Sequence, residues 1–273
     1  MSFHDELGTR MKTYYESIPK TKLMRRTPVI IRLDGKAFHS FTKGFAKPFD
    51  KILMESMQET MKYLCENIQG CVFGYTQSDE ITLILIDYQT FETQAWFDYE
   101  VQKMCSISAS MTTMKFNQIF NELVTDFFTN GVDVFTEDID LQRYMNSLSK
   151  AVNKGAMFDA RVFNIPKEEV TNLVYWRQLD AIRNSVQMVG QANFPHKQLQ
   201  GKSCEQIKTM LVEEKDINWN EFSLSKQRGS CCIKQNKVVN GIERSEWVID
   251  NDIPVFKDEG RKYIDKLINV GEK

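Results

Sequence analysis

Two stretches decide the fold, "VIIRLDG" at residues 29–35 and "CVFGYTQSDEITLILI" at residues 71–86. Both are rich in β-branched and aromatic side chains, which is typical of buried strands. Each apolar run also meets acids, because Asp34 ends the first run while Asp79 and Glu80 interrupt the second. Carboxylates at the tips of the most strand-like segments indicate a functional site at one edge of a sheet.

The segments around these strands predict a ferredoxin-like βαββαβ arrangement of the α+β class. Apolar residues recur at helical spacing over residues 50–67, and residues 93–128 contain neither proline nor glycine, which favours one long helix or two abutting helices. A fourth strand is predicted over residues 157–165. The order strand, helix, strand, strand, helix, strand is the one that defines this arrangement.

The second half of the chain is predicted to be a mixed extension that packs on the first half. The boundary is expected between residues 166 and 167, so that residues 1–166 form the catalytic domain with an N-terminal helix and residues 167–273 form the extension. Ser203 and Gln206 fit a helix capping box, and Asn240-Gly241 predicts a hairpin turn. No flexible linker separates the two halves, which indicates a single compact unit.

Composition limits the class of protein and the kind of metal. The chain has 273 residues, a net charge of −2 and 42% hydrophobic content, so any nucleic acid must be bound by a local basic patch. One candidate patch is the run at residues 20–26, although the sequence slightly favours a solvated loop there. Three histidines and six cysteines without CxxC spacing favour a hard cation on oxygen ligands. No segment resembles a signal peptide or a membrane span, which predicts a cytoplasmic protein without membrane contact.

The predicted topology brings the acids together. The first and third strands pair at the centre of a βαββαβ sheet, so Asp34 should lie beside Asp79 and Glu80. Three neighbouring carboxylates repel one another unless cations lie among them, and paired acids of this kind assemble two-metal phosphoryl-transfer sites. The glycine after Asp34 lets a main-chain carbonyl approach the same ion. The plainer alternative is that these acids are turn residues and helix caps.

Five segments resemble the tRNA-histidine guanylyltransferase family and occur in the family's order over roughly residues 5–235. They are "IRLDGKAFHSFTKGFAKPFD", "GYTQSDEITLIL", "FDARVF", "WRQLDAIRNS" and "LQGKSCEQI". The resemblance implies a polymerase-type palm that adds nucleotides to the 5′ end of tRNA. It also implies two Mg²⁺ ions as cofactors, ATP and GTP or other nucleoside triphosphates as substrates, and a homotetramer.

The resemblance also implies roles for individual residues as metal ligands, catalytic acids and nucleotide contacts. The metal ligands are Asp34, the carbonyl of Gly35 and Asp79, and the catalytic acids are Asp34, Asp79 and Glu80. The triphosphate is held by the backbone of Lys36, Ala37, Phe38 and His39, with Ser78, Lys47 and Lys103 as further nucleotide contacts; Asp50 lies in the same motifs.

One position departs from the eukaryotic pattern of the family. Eukaryotic members carry the sequence "HINN" where this chain has residues 182–185, "IRNS", so that Ile182 replaces the histidine. In this respect the chain resembles the bacterial and phage guanylyltransferase-like branch. That branch implies ATP-dependent activation of the 5′ end and template-directed repair of truncated tRNA, in the 3′-to-5′ direction.

Three other functions stay open from the sequence. The first is the untemplated addition of G to tRNA-histidine. The second is a nucleotide cyclase, whose sites use paired acids on the same topology. The third is an RNA-binding module with a structural metal, in which Tyr75, Trp176 and Phe194 would stack on bases.

Overall fold

The structure is a computed structural model that describes residues 6–131, 140–239 and 242–270. Its centre is an antiparallel six-stranded sheet of strand order β4-β1-β3-β2-β5-β6. The strands are β1 (Val29–Gly35), β2 (Cys71–Gln77), β3 (Glu80–Leu85), β4 (Phe158–Asn164), β5 (Ser230–Val239) and β6 (Ile242–Asp250). The predicted central pairing of the first and third strands is confirmed, because Asp34 lies directly opposite Glu80.

Ten α-helices occur within the described residues, and short 3₁₀ turns separate several of them. They are α1 (Glu6–Met11), α2 (Phe38–Phe41), α3 (Lys51–Asn67), α4 (Val101–Asn130), α5 (Leu141–Lys154), α6 (Lys167–Asn193), α7 (His196–Leu199), α8 (Cys204–Lys215), α9 (Leu224–Arg228) and α10 (Lys262–Ile268). The first helix continues as a π-helical turn, Lys12–Glu16. None of the described helices combines the length and the apolarity that a membrane span requires.

Alternation along the strands builds two cores, one on each face of the sheet. On one face, Ile31 and Leu33 of β1 belong to the larger core, which also includes residues of α3, α4 and α5. On the other face, Ile30 packs in a second core with residues of α6 and α10. Asp34 has the same parity as Ile30, so it lies at the end of β1 on the face covered by α6.

The C-terminal part of the chain also extends the same sheet. Strand β5 pairs with β2, with Tyr75 opposite Cys231, and β6 pairs with β5 along nine positions. The Tyr75 hydroxyl also donates to the carbonyl of Arg228 at 2.7 Å. The hairpin predicted over residues 230–249 is present, while its turn at Asn240-Gly241 lies outside the described residues.

Residues 93–128 were predicted to form one long helix or two abutting helices, and the structure has one long helix, α4, that begins only at Val101. A 3₁₀ turn, Trp96–Tyr99, precedes α4, because Trp96 and Tyr99 are buried in the core and three successive residues adopt positive φ. Helix α5 was not predicted at all, although Asp140 caps it and Tyr144 and Leu148 recur at helical spacing. The capping box of Ser203 and Gln206 is confirmed.

Candidate active site

The acid edge of the sheet is formed by three strands and one turn. Asp34, at the end of β1, lies opposite Glu80 on β3 and opposite Asp159 on β4. Asp79 occupies the two-residue turn between β2 and β3, because Gln77 and Glu80 are already paired. The structure therefore brings together Asp34, Asp79 and Glu80, as the topology predicted.

A main-chain hydrogen bond ties the turn to the first strand. The backbone N–H of Gly35 donates to the carbonyl of Asp79 at 3.1 Å. Ser78 has a φ of 50°, and its hydroxyl donates to the carboxylate of Asp79 at 3.0 Å. The Phe38 ring fills the space where a side chain at position 35 would lie, so only glycine allows this close approach.

The electrostatics of this edge are those of an acid cluster short of positive charge. Burial raises the pKa of Asp34, and the neighbouring Glu80 and Asp159 raise it further, while Arg161 opposes the shift. Burial also raises the pKa of Asp79, with smaller contributions from Asp34 and Glu80. A cation at this edge would relieve both effects.

Glu80 is held differently from the other two acids. Its carboxylate accepts hydrogen bonds from Arg177 of α6 at 2.7 and 2.8 Å and from Arg32 of β1 at 2.9 Å. Its side chain is only 8% exposed. Because both carboxylate oxygens accept bonds from guanidinium groups, these contacts favour a positioning role over the catalytic role that the sequence suggested.

Two site residues, Asp159 and Arg161, were missed by the sequence analysis. Arg161 Nη2 lies 3.8 Å from an Asp34 carboxylate oxygen and 3.5 Å from an Asp159 carboxylate oxygen. The signal was present in "FDARVF", because the fourth strand of a βαββαβ sheet pairs with the first and places this segment opposite "IRLDG". Arg161 is about half exposed, so its charge remains accessible to a substrate phosphate.

Only part of the segment predicted to hold a triphosphate has main-chain N–H groups available for binding. The Lys36 N–H is not available, since it donates to the carbonyl of Met157 at 2.9 Å. The Phe38 side chain is buried in the aromatic core and can contribute only its backbone. Ala37 is left-handed and starts α2, and the N–H groups of Ala37, Phe38 and His39 bond no other described residue. Three backbone donors therefore remain at the start of this helix.

Asp50 serves the fold. Its carboxylate accepts hydrogen bonds from the N–H groups of Leu53 and Ala46 at 2.9 and 3.0 Å and from the Tyr144 hydroxyl at 2.8 Å. The hydrogen bond from Leu53 caps α3. The hydrogen bonds from Ala46 and Tyr144 fasten α5 to the loop that precedes α3. Burial raises the pKa of Asp50, and the three hydrogen bonds oppose that shift.

The two predicted phosphate lysines lie in different places. Lys47 is exposed on the loop before α3 and forms no ion pair with a described carboxylate. Lys103 lies in the first turn of α4, 5.8 Å from the centre of the Phe97 ring. It is Thr113, ten residues further along α4, that bonds the N–H of Phe158 next to the acid edge. Since ten helical residues span about 15 Å, one chain does not bring Lys103 to Asp34.

A cavity opens beside the turn that carries Asp79. Its walls come from α3, the β2–β3 turn, α6 and α9, and its lining includes Phe49, Ser78, Asn184, Met188 and Lys226. The lining combines apolar surface with a few polar groups, which is typical of a ligand pocket. This cavity adjoins the acid edge through Ser78.

Comparisons with known proteins show the family to which the chain belongs. The family model described as "Thg1: tRNAHis guanylyltransferase" matches residues 8–166. The chain belongs to this family. It is therefore a nucleotidyltransferase of the tRNA guanylyltransferase type, and the recognition made from the sequence motifs is confirmed.

Relatives extend the likeness beyond the matched region. A solved bacterial tRNA(His) guanylyltransferase (Thg1)-like protein in complex with ATP is 39% identical with a TM-score of 0.80, over 97% of this chain and all of that one. An uncharacterized protein of Acanthamoeba polyphaga mimivirus is 30% identical over 93% of this chain and 85% of its own length. A probable tRNA(His) guanylyltransferase of Drosophila melanogaster is 23% identical over 84% of this chain and 73% of its own length.

For a Thg1-family chain, the donors at the acid edge suit a hard divalent cation. Asp34 and Asp79 supply carboxylates whose negative charge is only partly balanced, and oxygen is the ligand that Mg²⁺ prefers. Within the described residues, no three carboxylate, histidine or cysteine side chains come together as a metal cluster. A two-carboxylate site completed by the Gly35 carbonyl, as the motifs imply, has the right chemistry.

The aromatic residues of the RNA-module alternative do not form a stacking surface. Tyr75 and Phe194 are buried at 1% and 6% exposure. Trp176 is exposed, but the guanidinium groups of Arg32 and Arg177 lie over its ring at 5.4 and 4.5 Å. The basic run at residues 20–26 is likewise occupied by ion pairs, for example Arg25 with Asp87 at 2.6 Å. The three aromatic residues and the candidate basic patch are therefore engaged in contacts within the protein.

Proposed function

We propose that this protein adds nucleotides to the 5′ end of tRNA in the 3′-to-5′ direction, directed by the opposite strand, and so repairs truncated 5′ ends. The observation that carries the proposal is the acid edge, where the Gly35–Asp79 hydrogen bond holds Asp34 and Asp79 on neighbouring strand ends. In this proposal residues 1–166, which include strands β1 to β4, are a polymerase-type palm, and residues 167–273, which include β5 and β6, are its extension. We also propose a homotetramer in the cytoplasm.

In the proposed chemistry a 5′-monophosphate is first activated with ATP. An oxygen of the RNA 5′-phosphate attacks the α-phosphorus of ATP, pyrophosphate leaves, and a 5′-5′ pyrophosphate linkage to AMP forms. The 3′-hydroxyl of the incoming nucleoside triphosphate then attacks the RNA 5′-phosphorus and AMP leaves. An RNA that already bears a 5′-triphosphate needs no activation, because it releases pyrophosphate directly.

The chain's own residues bind and orient the reactants. Asp34, Asp79 and the Gly35 carbonyl would hold two Mg²⁺ ions, which supply neutralisation of phosphate charge and polarisation of the reacting oxygens. The free N–H groups of Ala37, Phe38 and His39 are placed to bind phosphate oxygens, and Lys47 adds a positive charge. Such positioning and charge stabilisation provide most of the catalysis in phosphoryl transfer.

The nucleotide base is assigned to the cavity beside Ser78. The cavity adjoins the acid edge, and its lining of Phe49, Met188 and polar groups such as Asn184 suits a nucleoside. Relatives solved in complex with ATP and with GTP, at 39% and 37% identity, support nucleotide binding by this fold.

Template direction rests on Ile182. An isoleucine neither donates nor accepts a side-chain hydrogen bond, so it cannot replace the histidine of the eukaryotic "HINN" segment in a choice of G. Its side chain is partly buried and packs against the core between α6 and α8. The higher identity to the bacterial Thg1-like protein than to the probable guanylyltransferase of Drosophila melanogaster supports the same branch.

The experiment supplies the protein with a tRNA that lacks its first 5′ nucleotide and carries a labelled 5′-phosphate. The base opposite the gap is varied through all four identities, and the nucleotide gained is scored with ATP, Mg²⁺ and all four triphosphates present. We expect the complementary base each time and little addition to intact tRNA-histidine. Insertion of G whatever the opposite base, or efficient addition of G to intact tRNA-histidine, would contradict the proposal. Cyclic product from ATP or GTP alone would instead identify a cyclase.

A further inference from the structure

A groove on the surface formed by residues 40–44 and 140–154 is rich in basic side chains. One wall is the loop after α2 and the other is the exposed face of α5, and we call it the α5 groove. Its lining includes four cations, Lys43, Arg143, Lys150 and Lys154. Among the described lining residues the sole carboxylate is Asp140, which accepts the N–H of Arg143 as the cap of α5.

The cations of the α5 groove differ from those of the basic run at residues 20–26, several of which are ion-paired. None of the four forms an ion pair or a ring contact with any described residue. All four are exposed. Four cations beside one described carboxylate on a concave surface create an attractive potential for an anionic partner.

The spacing of the cations is that of one helix face. Arg143, Lys150 and Lys154 lie on the exposed side of α5, opposite Tyr144 and Leu148, which are buried in the core. From Arg143 to Lys154 the helix rises about 17 Å. That length exceeds the length of a triphosphate and suits several successive phosphates of a nucleic-acid backbone.

The groove is built into the fold. Gly44, with a φ of +90°, approaches α5 so closely that a side chain there would collide with the Ser147 hydroxyl. The buried hydrogen bond from Tyr144 to Asp50, at 2.8 Å, fastens α5 to the loop that leads into α3. Both walls are therefore fixed before a ligand binds, which lowers the cost of ordering on binding.

The groove is also continuous with the acid edge in the chain. Ser40, one of its lining residues, is in the short helix α2, which begins at Phe38, three residues after Gly35. Apart from the buried Phe41, the described lining contains no aromatic ring that could stack on a base. The chemistry therefore fits the sugar-phosphate backbone and does not read base sequence.

We infer that the α5 groove binds the phosphate backbone of the RNA whose 5′ end lies at the acid edge. This inference rests on the proposed function, and it names the surface that holds the body of the substrate. A backbone contact without base readout suits an enzyme whose base choice comes from pairing with the opposite strand.

The test compares two triple variants by RNA binding, which does not require catalysis. The groove variant is Arg143→Ala, Lys150→Ala, Lys154→Ala, and the matched control is Lys197→Ala, Lys257→Ala, Lys266→Ala, which removes the same charge elsewhere. Alanine is the best helix former, so α5 should be retained, as far-UV circular dichroism will show. Equilibrium binding of the 5′-truncated tRNA is measured over a series of salt concentrations.

We expect the groove variant to bind the RNA at least about tenfold more weakly at low salt, with a salt slope reduced by about two, while the control keeps both values. In the extension assay its KM for RNA should rise, with kcat and the KM for nucleotide preserved. Unchanged affinity and salt slope would overturn the inference, even if the protein extends RNA. Weaker binding by the groove variant in a protein that does not extend RNA would support the groove and overturn the proposed function. If the groove variant lost binding to polyglutamate but kept its binding to RNA, the groove would be a site for an acidic protein, and the inference would be overturned.

Discussion

The Arg177 guanidinium on α6 donates two hydrogen bonds to the Glu80 carboxylate on β3, at 2.7 and 2.8 Å. Both side chains are less than 10% exposed. This ion pair joins α6 to Glu80, the residue that follows Asp79, so α6 holds the acid edge in place. Arg32, two residues before Asp34, completes the arrangement from the other strand.

Removing the charge of Glu80 should therefore destabilise the fold. Glu80→Gln leaves the Arg32 and Arg177 guanidiniums without their shared counter-charge, and breaking a buried pair costs about 3–5 kcal/mol. Urea unfolding measures the loss, and Glu66→Gln, an exposed change on α3, should alter the unfolding free energy by less than about 0.5 kcal/mol. A Glu80→Gln protein with normal stability but little activity would restore the catalytic role.

Asp34→Asn and Asp79→Asn should each lower nucleotide addition at least about a thousandfold without unfolding the protein. The physical reason is the loss of a charged metal ligand, worth several kcal/mol of charge stabilisation in the transition state. Gel extension of a labelled, truncated tRNA measures the rate, and circular dichroism checks the fold. Asp126→Asn, a change on the exposed face of α4, serves as the control. Addition at the wild-type rate by either variant would refute the assignment of these two residues.

The raised pKa values of Asp34 and Asp79 predict how stability depends on pH and Mg²⁺. The folded protein holds these protons more tightly than the unfolded chain, so stability falls as pH rises from the ordinary carboxyl range through the raised pKa values. The penalty is fully present at neutral pH, where Mg²⁺ should raise the Tm by several degrees.

The control for this effect is the double variant Asp34→Asn, Asp79→Asn. Without Mg²⁺ at neutral pH it should be at least as stable as the wild type, and added Mg²⁺ should leave its Tm unchanged. Thermal unfolding monitored by circular dichroism at neutral and mildly acidic pH provides both measurements. An equal rise in Tm for the double variant would place the Mg²⁺ elsewhere.

Lys47→Ala should raise the KM for nucleoside triphosphate about tenfold while the unfolding free energy is preserved. The side chain is exposed and forms no ion pair with a described residue, and one charge-assisted hydrogen bond contributes about 1–3 kcal/mol. Lys12→Ala, in the exposed N-terminal turn, is the matched control. A normal KM would show that Lys47 is an ordinary surface charge.

The same measurement of KM tests whether Lys103 lies away from the nucleotide site or contacts the site of a neighbouring copy. Because Lys103 lies far along α4 from the acid edge, we expect Lys103→Ala to have a smaller effect on the KM than Lys47→Ala. An effect of equal size would mean that Lys103 reaches the site of a neighbouring copy in an oligomer.

The sequence alone determined the acid edge and the family. The "VIIRLDG" and "GYTQSDEITLIL" segments are strongly apolar strands that lie next to turn residues. The order of strands and helices along the chain predicts that the first and third strands pair, and this pairing places Asp34 beside Asp79. Such patterns can be recognised from the sequence alone, because strand alternation and helix capping depend on residues that are close together in the chain. The capping box at Ser203 was predictable for the same reason.

Only the tertiary structure decided the use of each charge. Glu80 and Asp79 are neighbours in sequence, yet Glu80 is paired with Arg177, 97 residues away, while Asp79 remains short of positive charge. Asp159 and Arg161 lie at the site because β4 pairs with β1. Lys103 lies away from the site because α4 approaches the acid edge at Thr113, ten residues further along the helix. The environment of a charged group depends on side chains brought together from distant segments, and that information does not lie in the local pattern.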